Sequence, residues 1–160
     1  MHEFIEYRVA DAMTSTPVVI GPRTRLAEAQ AIFEEHDFNG LPVVENANRL
    51  IGMLTKLDLL KAFAFTPASV IPPYDQIMCE PAERMMTRTL LTVELDAPLT
   101  RVLQTMIATR HKSLPVVEGD RLVGIIARED LLRALRCALA GERPSRSDST
   151  NVLPSLGRAN

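Results

Sequence analysis

Apolar and polar positions along the 160-residue chain follow the same pattern twice. Residues 41–45 read Leu-Pro-Val-Val-Glu, and after a short polar turn residues 49–55 read Arg-Leu-Ile-Gly-Met-Leu-Thr. Residues 114–118 read Leu-Pro-Val-Val-Glu again, and residues 121–127 then read Arg-Leu-Val-Gly-Ile-Ile-Ala. Two apolar, β-branched runs joined by a turn containing Gly, Asn or Asp predict a β-hairpin. Asp-Leu-Leu follows each hairpin, at Asp58 and Asp130, near the start of a run that predicts a helix leaving the second strand.

The segments before the hairpins repeat as well. Residues 7–13 have short helical periodicity and lead into Thr14-Ser15-Thr16-Pro17, where Pro17 stops a helix and biases Thr16 toward an extended backbone. Val18-Val19-Ile20 predicts a short buried strand ended by Gly21-Pro22. Thr24 is the expected N-cap of a helix with Leu26, Ala29, Ile32 and Phe33 on one face, running to about Glu35. The helix after the first hairpin is expected over about 56–64. Met86-Thr87 answers Met13-Thr14, Leu99 answers Leu26 and Leu114 answers Leu41, at a separation of 73 (114 − 41). Past the hairpin turn the separation is 72 (130 − 58), so the single deletion falls in a turn, where a length change is tolerated. Each unit reads strand, helix, strand, strand, helix, an α+β arrangement. Two units this small are expected to pack as one body, because neither buries much core alone. The expected division is a first unit at 7–64, a connector at 65–80, a second unit at 81–140 and a polar tail at 141–160. The connector holds Pro67, Pro72 and Pro73, with a turn of helix possible at 74–79. The Ser/Arg-rich tail cannot offset its ordering entropy by burial and is expected to be mobile unless something holds it.

Composition narrows the function classes. The chain is 46% hydrophobic and 24% charged with a formal net charge of −2, values of an ordinary globular protein. That balance gives no reason to expect nucleic acid or an anionic membrane as a partner. No apolar run approaches the roughly 20 residues that span a bilayer. The start, Met-His-Glu-Phe-Ile-Glu, lacks the basic and apolar regions of a signal peptide. Cys79 and Cys137 have no metal-ligand spacing and are expected to be reduced and structural, which points to the cytoplasm. His36 and His111 stand alone, and no phosphate loop, dinucleotide fingerprint, zinc-protease or nucleophile-elbow motif occurs. An enzyme is therefore not expected.

The two Met-Thr pairs, the two Leu-Pro-Val-Val segments and the two hairpin-to-helix segments, in order and twice over about residues 7–139, resemble a tandem pair of cystathionine-β-synthase-type (CBS) domains, a Bateman module. The resemblance implies two βαββα units related by a pseudo-twofold axis, two clefts between their sheets, and frequent dimerisation into a flat disc. It also implies an adenosine ligand, with AMP, ADP or ATP ahead of S-adenosylmethionine, and regulation of another protein rather than catalysis.

Thr55 and Asp58 occupy the family's ribose- and phosphate-facing positions. A carboxylate in the first helical turn can accept hydrogen bonds from both hydroxyls of a ribose, while the Thr hydroxyl and helix N-terminus face phosphates. The same spacing also suits a capping box, in which Thr55 caps the helix and Asp58 bonds back. In the second copy Ala127 has lost the hydroxyl while Asp130 remains. A reciprocal capping box cannot form there, although the helix dipole still favours an acid. The ribose reading of Asp130 gains from this, but the second cleft should differ from the first. Arg110, His111 and Lys112, before the second Leu-Pro-Val-Val, are either a solvated basic helix end or, as the family geometry suggests, phosphate contacts for the cleft holding Asp58. The other cleft would combine Asp130 and Arg128 with an unhelpful Asp37. Thr16, Pro17 and Val18, with Thr89, Leu90 and Leu91 in the second copy, match the segment lining the family's adenine pocket, or are ordinary core. Met53, Met85, Met86 and Met106 read as gap-filling core.

The expected function is a stand-alone regulatory module with one good nucleotide site and one weaker or empty site. It would act as a homodimer on a regulated protein that the sequence does not identify. The alternative is a ligand-free dimerisation or scaffold module, with both acids serving only as helix caps.

Overall fold

A computed structural model describes residues 2–68 and 73–148. In chain order its elements are α1 (His2–Glu6), α2 (Val9–Ala12), β1 (Thr14–Ser15), α3 (Leu26–Glu35), β2 (Gly40–Glu45), β3 (Arg49–Thr55), α4 (Lys56–Ala62) and α5 (Tyr74–Met78). A 3₁₀ turn at Ala82–Arg84 leads to β4 (Val93–Glu94), α6 (Leu99–Thr109), β5 (Ser113–Glu118), β6 (Arg121–Ala127), α7 (Arg128–Ala140) and β7 (Ser147–Asp148). Both hairpins form where the paired apolar runs put them. Each carries an irregularity at the same repeat position, between Val43 and Val44 and between Val116 and Val117.

The hairpins meet at their turns. Arg49 pairs with Arg121, the Leu50 N–H donates to Asp120 O (2.9 Å), and the Leu122 N–H donates to Asn48 O (3.0 Å). The Met-Thr segments cross between the copies. Thr14 and Ser15 pair with Ile125 and Gly124 of the second hairpin, while Thr87 pairs with Met53 of the first through bonds of 2.8 and 3.0 Å. The motif glycines permit this exchange. A Cβ on Gly124 would lie 2.7 Å from both Thr14 O and Met13 Sδ; one on Gly52 would lie 2.5 Å from Met86 Sδ and 3.1 Å from Thr87 O. Backbones approach that closely only where no side chain intervenes.

The cores are exchanged in the same way. One gathers Phe4, Tyr7, Val9, Ala12 and Met13 with Leu99, Val102, Leu114, Ile126 and Leu131. The other gathers Ile20, Leu26, Leu41 and Leu54 with Met78, Ala82 and Met86. The chain thus changes cores between Met13 and Ile20. Each hairpin buries its apolar face partly against residues of the other copy or the connector, so the halves share one body, as units too small to bury much alone require.

Several local expectations are corrected. Thr24 is not the N-cap of α3: its hydroxyl accepts from Gly21 N–H (3.1 Å), while Glu28 accepts from the Arg25 N–H (2.8 Å) at the helix start. Thr16 is not extended but left-handed, with φ 53. Of Val18-Val19-Ile20 only Ile20 bridges, to Val43, and Val19 is exposed. The helix after the first hairpin ends at Ala62. The polar stretch after Gly141 begins as part of the fold. The Tyr7 hydroxyl donates to Glu142 O (2.7 Å), Arg146 Nε donates to Ala10 O, and β7 runs parallel to β1. The rest of the expected tail, 149–160, and connector residues 69–72 lie outside the described residues.

Candidate functional site

Each candidate acid sits where a hairpin's second strand becomes a helix without an intervening loop: β3 into α4 at Thr55, and β6 into α7 at Ala127. Strand geometry fixes the last strand residue as N-cap, so the acid three positions later returns toward its backbone. Both acids are buried, Asp58 to 4% exposure and Asp130 to 5%.

In the first copy the capping box is complete. Asp58 Oδ2 accepts from the Thr55 N–H (2.9 Å) and the Thr55 hydroxyl (2.9 Å), and Thr55 Oγ1 accepts from the Asp58 N–H (3.2 Å). Asp58 Oδ1 has more distant neighbours: the Thr87 hydroxyl at 3.5 Å and Lys61 Nζ at 4.0 Å. Thr87 arrives from the second copy through the exchanged Met-Thr segment. One oxygen is therefore committed to the fold, while the other is held loosely enough to accept a stronger donor.

The second copy arranges the same acid differently. Asp130 Oδ2 accepts from the Ala127 N–H (2.8 Å), and Asp130 Oδ1 accepts from Arg133 Nη2 at 2.7 Å. The same Nη2 also donates to Ala12 O (3.0 Å). The inference that capping leaves Asp130 unexplained is therefore corrected. Loss of the Thr hydroxyl removes one arm of the box, but the backbone arm persists and an arginine supplies the rest. Burial pushes the Asp130 carboxyl above its ordinary value, opposed by the Ala127 N–H and by Arg133.

The basic segment is exposed. Arg110 is the left-handed C-cap of α6 (φ 61), and Arg128 lies back over this turn, donating to His111 O (3.0 Å) and Arg110 O (2.6 Å). A guanidinium on the last carbonyls of a helix is a favourable C-terminal interaction. In the first copy the corresponding pair is Lys56 and Asp37, 3.9 Å apart and exposed. Among the described residues no hydrogen bond or ion pair joins Arg110, His111 or Lys112 to Asp58. Arg110 and Arg128 instead close one end of an apolar groove of about 350 Å³ between α6 and α7, lined by Leu103, Met106, Ile107, Leu131, Leu132 and Leu135. A second groove of about 460 Å³ lies between α3 and α5, and neither groove is lined by Asp58 or Asp130.

The segments compared with an adenine pocket do not read as ordinary core. Thr16, Thr89 and Leu91 are exposed, and Pro17 is half-buried. Val18 packs partly against the first-copy core. Met53, Met86 and Met106 are buried, and Met85 packs at the core's edge.

Three residues beside the acids were not read from the sequence: Thr87, Lys61 and Arg133. Lys61 and Arg133 lie three positions after their acids, on the same helical face, so spacing alone could have found them. Thr87 could not be found without knowing that the Met-Thr segments exchange. Among the described residues no group of three His, Cys, Asp or Glu side chains could hold a metal ion, and no helix is long and apolar enough to cross a membrane.

The CBS domain family model matches the chain at residues 9–65 and 82–137. An uncharacterised 17.7 kDa protein of Acidianus ambivalens is 29% identical over 129 residues, covering 80% of this chain and 73% of that one. Among solved structures, CBSX2 in complex with AMP is similar at a TM-score of 0.70 and 26% identity, covering 84% of this chain and 97% of the other. The CBS domain pair of MJ0100 in complex with 5′-methylthioadenosine and S-adenosyl-L-methionine is similar at 0.67 and 28% identity, covering 82% and 98%. The chain also matches proteins named as enzymes, including a homoserine O-acetyltransferase of Methanococcoides burtonii, but spans only 13–26% of their length. Two matched segments, two copies of one α+β unit and reciprocal pairing between them lead to one assignment: the chain belongs to the CBS domain family, as a pair of CBS domains.

Proposed function

We propose that this CBS pair is a regulatory module that binds an adenine nucleotide at Asp58 and passes its occupancy to a partner protein. The observation that carries this reading is the buried Asp58 carboxylate, oriented by Thr55 through Oδ2 while, among the described residues, the nearest hydrogen-bond donor to Oδ1 is the Thr87 hydroxyl at 3.5 Å. An acceptor oxygen at a helix start, flanked by two threonine hydroxyls, suits a sugar diol with phosphates beyond it. The ligand class is supported by the related pairs that hold AMP or adenosyl compounds. AMP, ADP and ATP lead, with S-adenosylmethionine behind them. Arg110, His111 and Lys112 are exposed, and in this reading they are the phosphate contacts. The module is not an enzyme in this reading, and its ligand acts by favouring one of two arrangements that the partner distinguishes.

The test is thermal unfolding with excess AMP. A ligand that binds only the native state stabilises it by about 2.7 kcal/mol at a hundredfold excess over Kd. That amounts to roughly 5 °C or more for a chain of this size. The shift should disappear in Asp58→Ala and persist in Asp130→Ala. No shift with AMP, ADP, ATP or S-adenosylmethionine would leave the scaffold reading in its place.

That second reading has its own support, since Leu57, Leu60, Ile107, Leu132 and Leu139 are exposed on α4, α6 and α7. We take a second copy of the chain as the occupant of these exposed apolar positions, making the module a homodimer with or without ligand.

A further inference from the structure

The two acids differ most in the cation that follows them. Position 133 is the repeat equivalent of position 61, because 133 − 61 equals the 130 − 58 spacing of the acids. Lys61 leaves its ammonium 4.0 Å from Asp58 Oδ1, with the Lys61 side chain 63% exposed. Arg133 is drawn in: its side chain is 27% exposed, and Nη2 lies 2.7 Å from Asp130 Oδ1 and 3.0 Å from Ala12 O. Its Nε is buried without a hydrogen-bond partner among the described residues, so the position is set by what Nη2 reaches. With Oδ2 engaged by the Ala127 N–H, both oxygens of Asp130 already have close donors.

We infer that Arg133 is an internal latch that fills the ligand-accepting oxygen of Asp130 and keeps the second site free of nucleotide, so that the pair binds one nucleotide per chain. The inference rests on the reading of these carboxylates as ribose acceptors and adds the residue that sets their stoichiometry. An incoming diol must displace a charge-assisted hydrogen bond at Asp130, but only a long contact at Asp58. The guanidinium also ties α7 to Ala12, the residue before the exchanged Met-Thr segment, so the latch closes across the two copies. The lysine at the equivalent place in the first copy leaves its ammonium 4.0 Å from its acid, so a lysine at 133 should hold Asp130 Oδ1 less closely than the guanidinium does.

Exchanging the two cations tests this. Calorimetric titration of AMP into the full chain should give one site in the wild type and two in R133K. The second site should be about tenfold weaker, because Ala127 lacks the hydroxyl that Thr55 offers. D130A/R133K should return to one site, and K61R should weaken the Asp58 site. R133K copies the cation that the first half folds with, and R133Q is the alternative if thermal melting shows that the lysine variant is unfolded. One site in both wild type and R133K overturns the latch and leaves the Asp58 reading intact, as does a second R133K site that survives D130A. Two sites in the wild type overturn the latch as well. If the wild type binds none while D58A/R133K binds one, the latch stands and the Asp58 reading falls. If no variant binds AMP or S-adenosylmethionine, both fall.

Discussion

The starts of α4 and α7 are one design executed twice with different side chains. In the first copy Thr55 closes a full capping box on Asp58, and Lys61 stays in solvent. In the second, Ala127 offers only its N–H, and Arg133 turns inward to complete the coordination of Asp130. A duplicated acid can thus keep its place for two reasons: one oxygen remains loosely held in one copy, and the other copy makes a buried link across the molecule. Equal position in a repeat does not imply equal chemistry.

This comparison predicts opposite liabilities for the two acids. Asp130→Ala should be the more damaging to stability, by about 2–3 kcal/mol, because it leaves a largely buried guanidinium without its carboxylate. Asp58→Ala should cost less stability but more nucleotide affinity. Chemical denaturation midpoints set beside AMP titration would separate the two, and equal stability losses would break the contrast.

Next in size are the glycines under the exchanged segments. Gly124→Ala should cost about 2 kcal/mol, since its methyl would meet the fixed Thr14 carbonyl at 2.7 Å. Gly52→Ala should cost less, because its closest neighbour is the flexible Met86 side chain. Thermal melting of both variants ranks them directly.

The capping threonine gives a smaller effect. Thr55→Ala should lose about 1 kcal/mol, and Ala127→Thr should gain a fraction of that, since a hydroxyl N-cap is present in one copy and missing in the other. Paired unfolding curves would sharpen the comparison, and a gain from Thr55→Ala would break it.

The smallest expected effect is on pH dependence. The Asp130 carboxyl sits above its ordinary value, so between the unfolded and native values the folded chain binds more protons than the unfolded one. Stability should therefore fall as pH rises through that acidic window, and this part of the slope should vanish in Asp130→Asn. Unfolding midpoints across the acidic range measure it.

Much of this architecture was legible in the chain because it is local and periodic. Two apolar runs around a turn specify a hairpin wherever they occur, and an offset of 73 residues, 72 past the hairpin turn, announced the duplication. The exchange of the Met-Thr segments was not legible, since it is a pairing over long sequence distance whose only trace is a glycine in each partner strand. Thr24 misled because a hydroxyl before an apolar face resembles an N-cap, whereas Arg25 with Glu28 supplies the start of α3. At the site, Thr55 and Asp58 were found together, but Thr87 depends on the exchange. The basic segment was expected near Asp58 through family geometry, whereas Arg128 lying over its carbonyls was not read from the sequence. Residues 141–148 were read as tail from composition, which does not register one tyrosine hydroxyl and one arginine reaching back across the fold.

The most direct measurement is a crystal structure of the chain grown with AMP. The account predicts one nucleotide per chain, its ribose within hydrogen-bonding distance of Asp58 Oδ1, and Arg133 still on Asp130. A ribose on Asp130, or nucleotide bound away from both carboxylates, would contradict it.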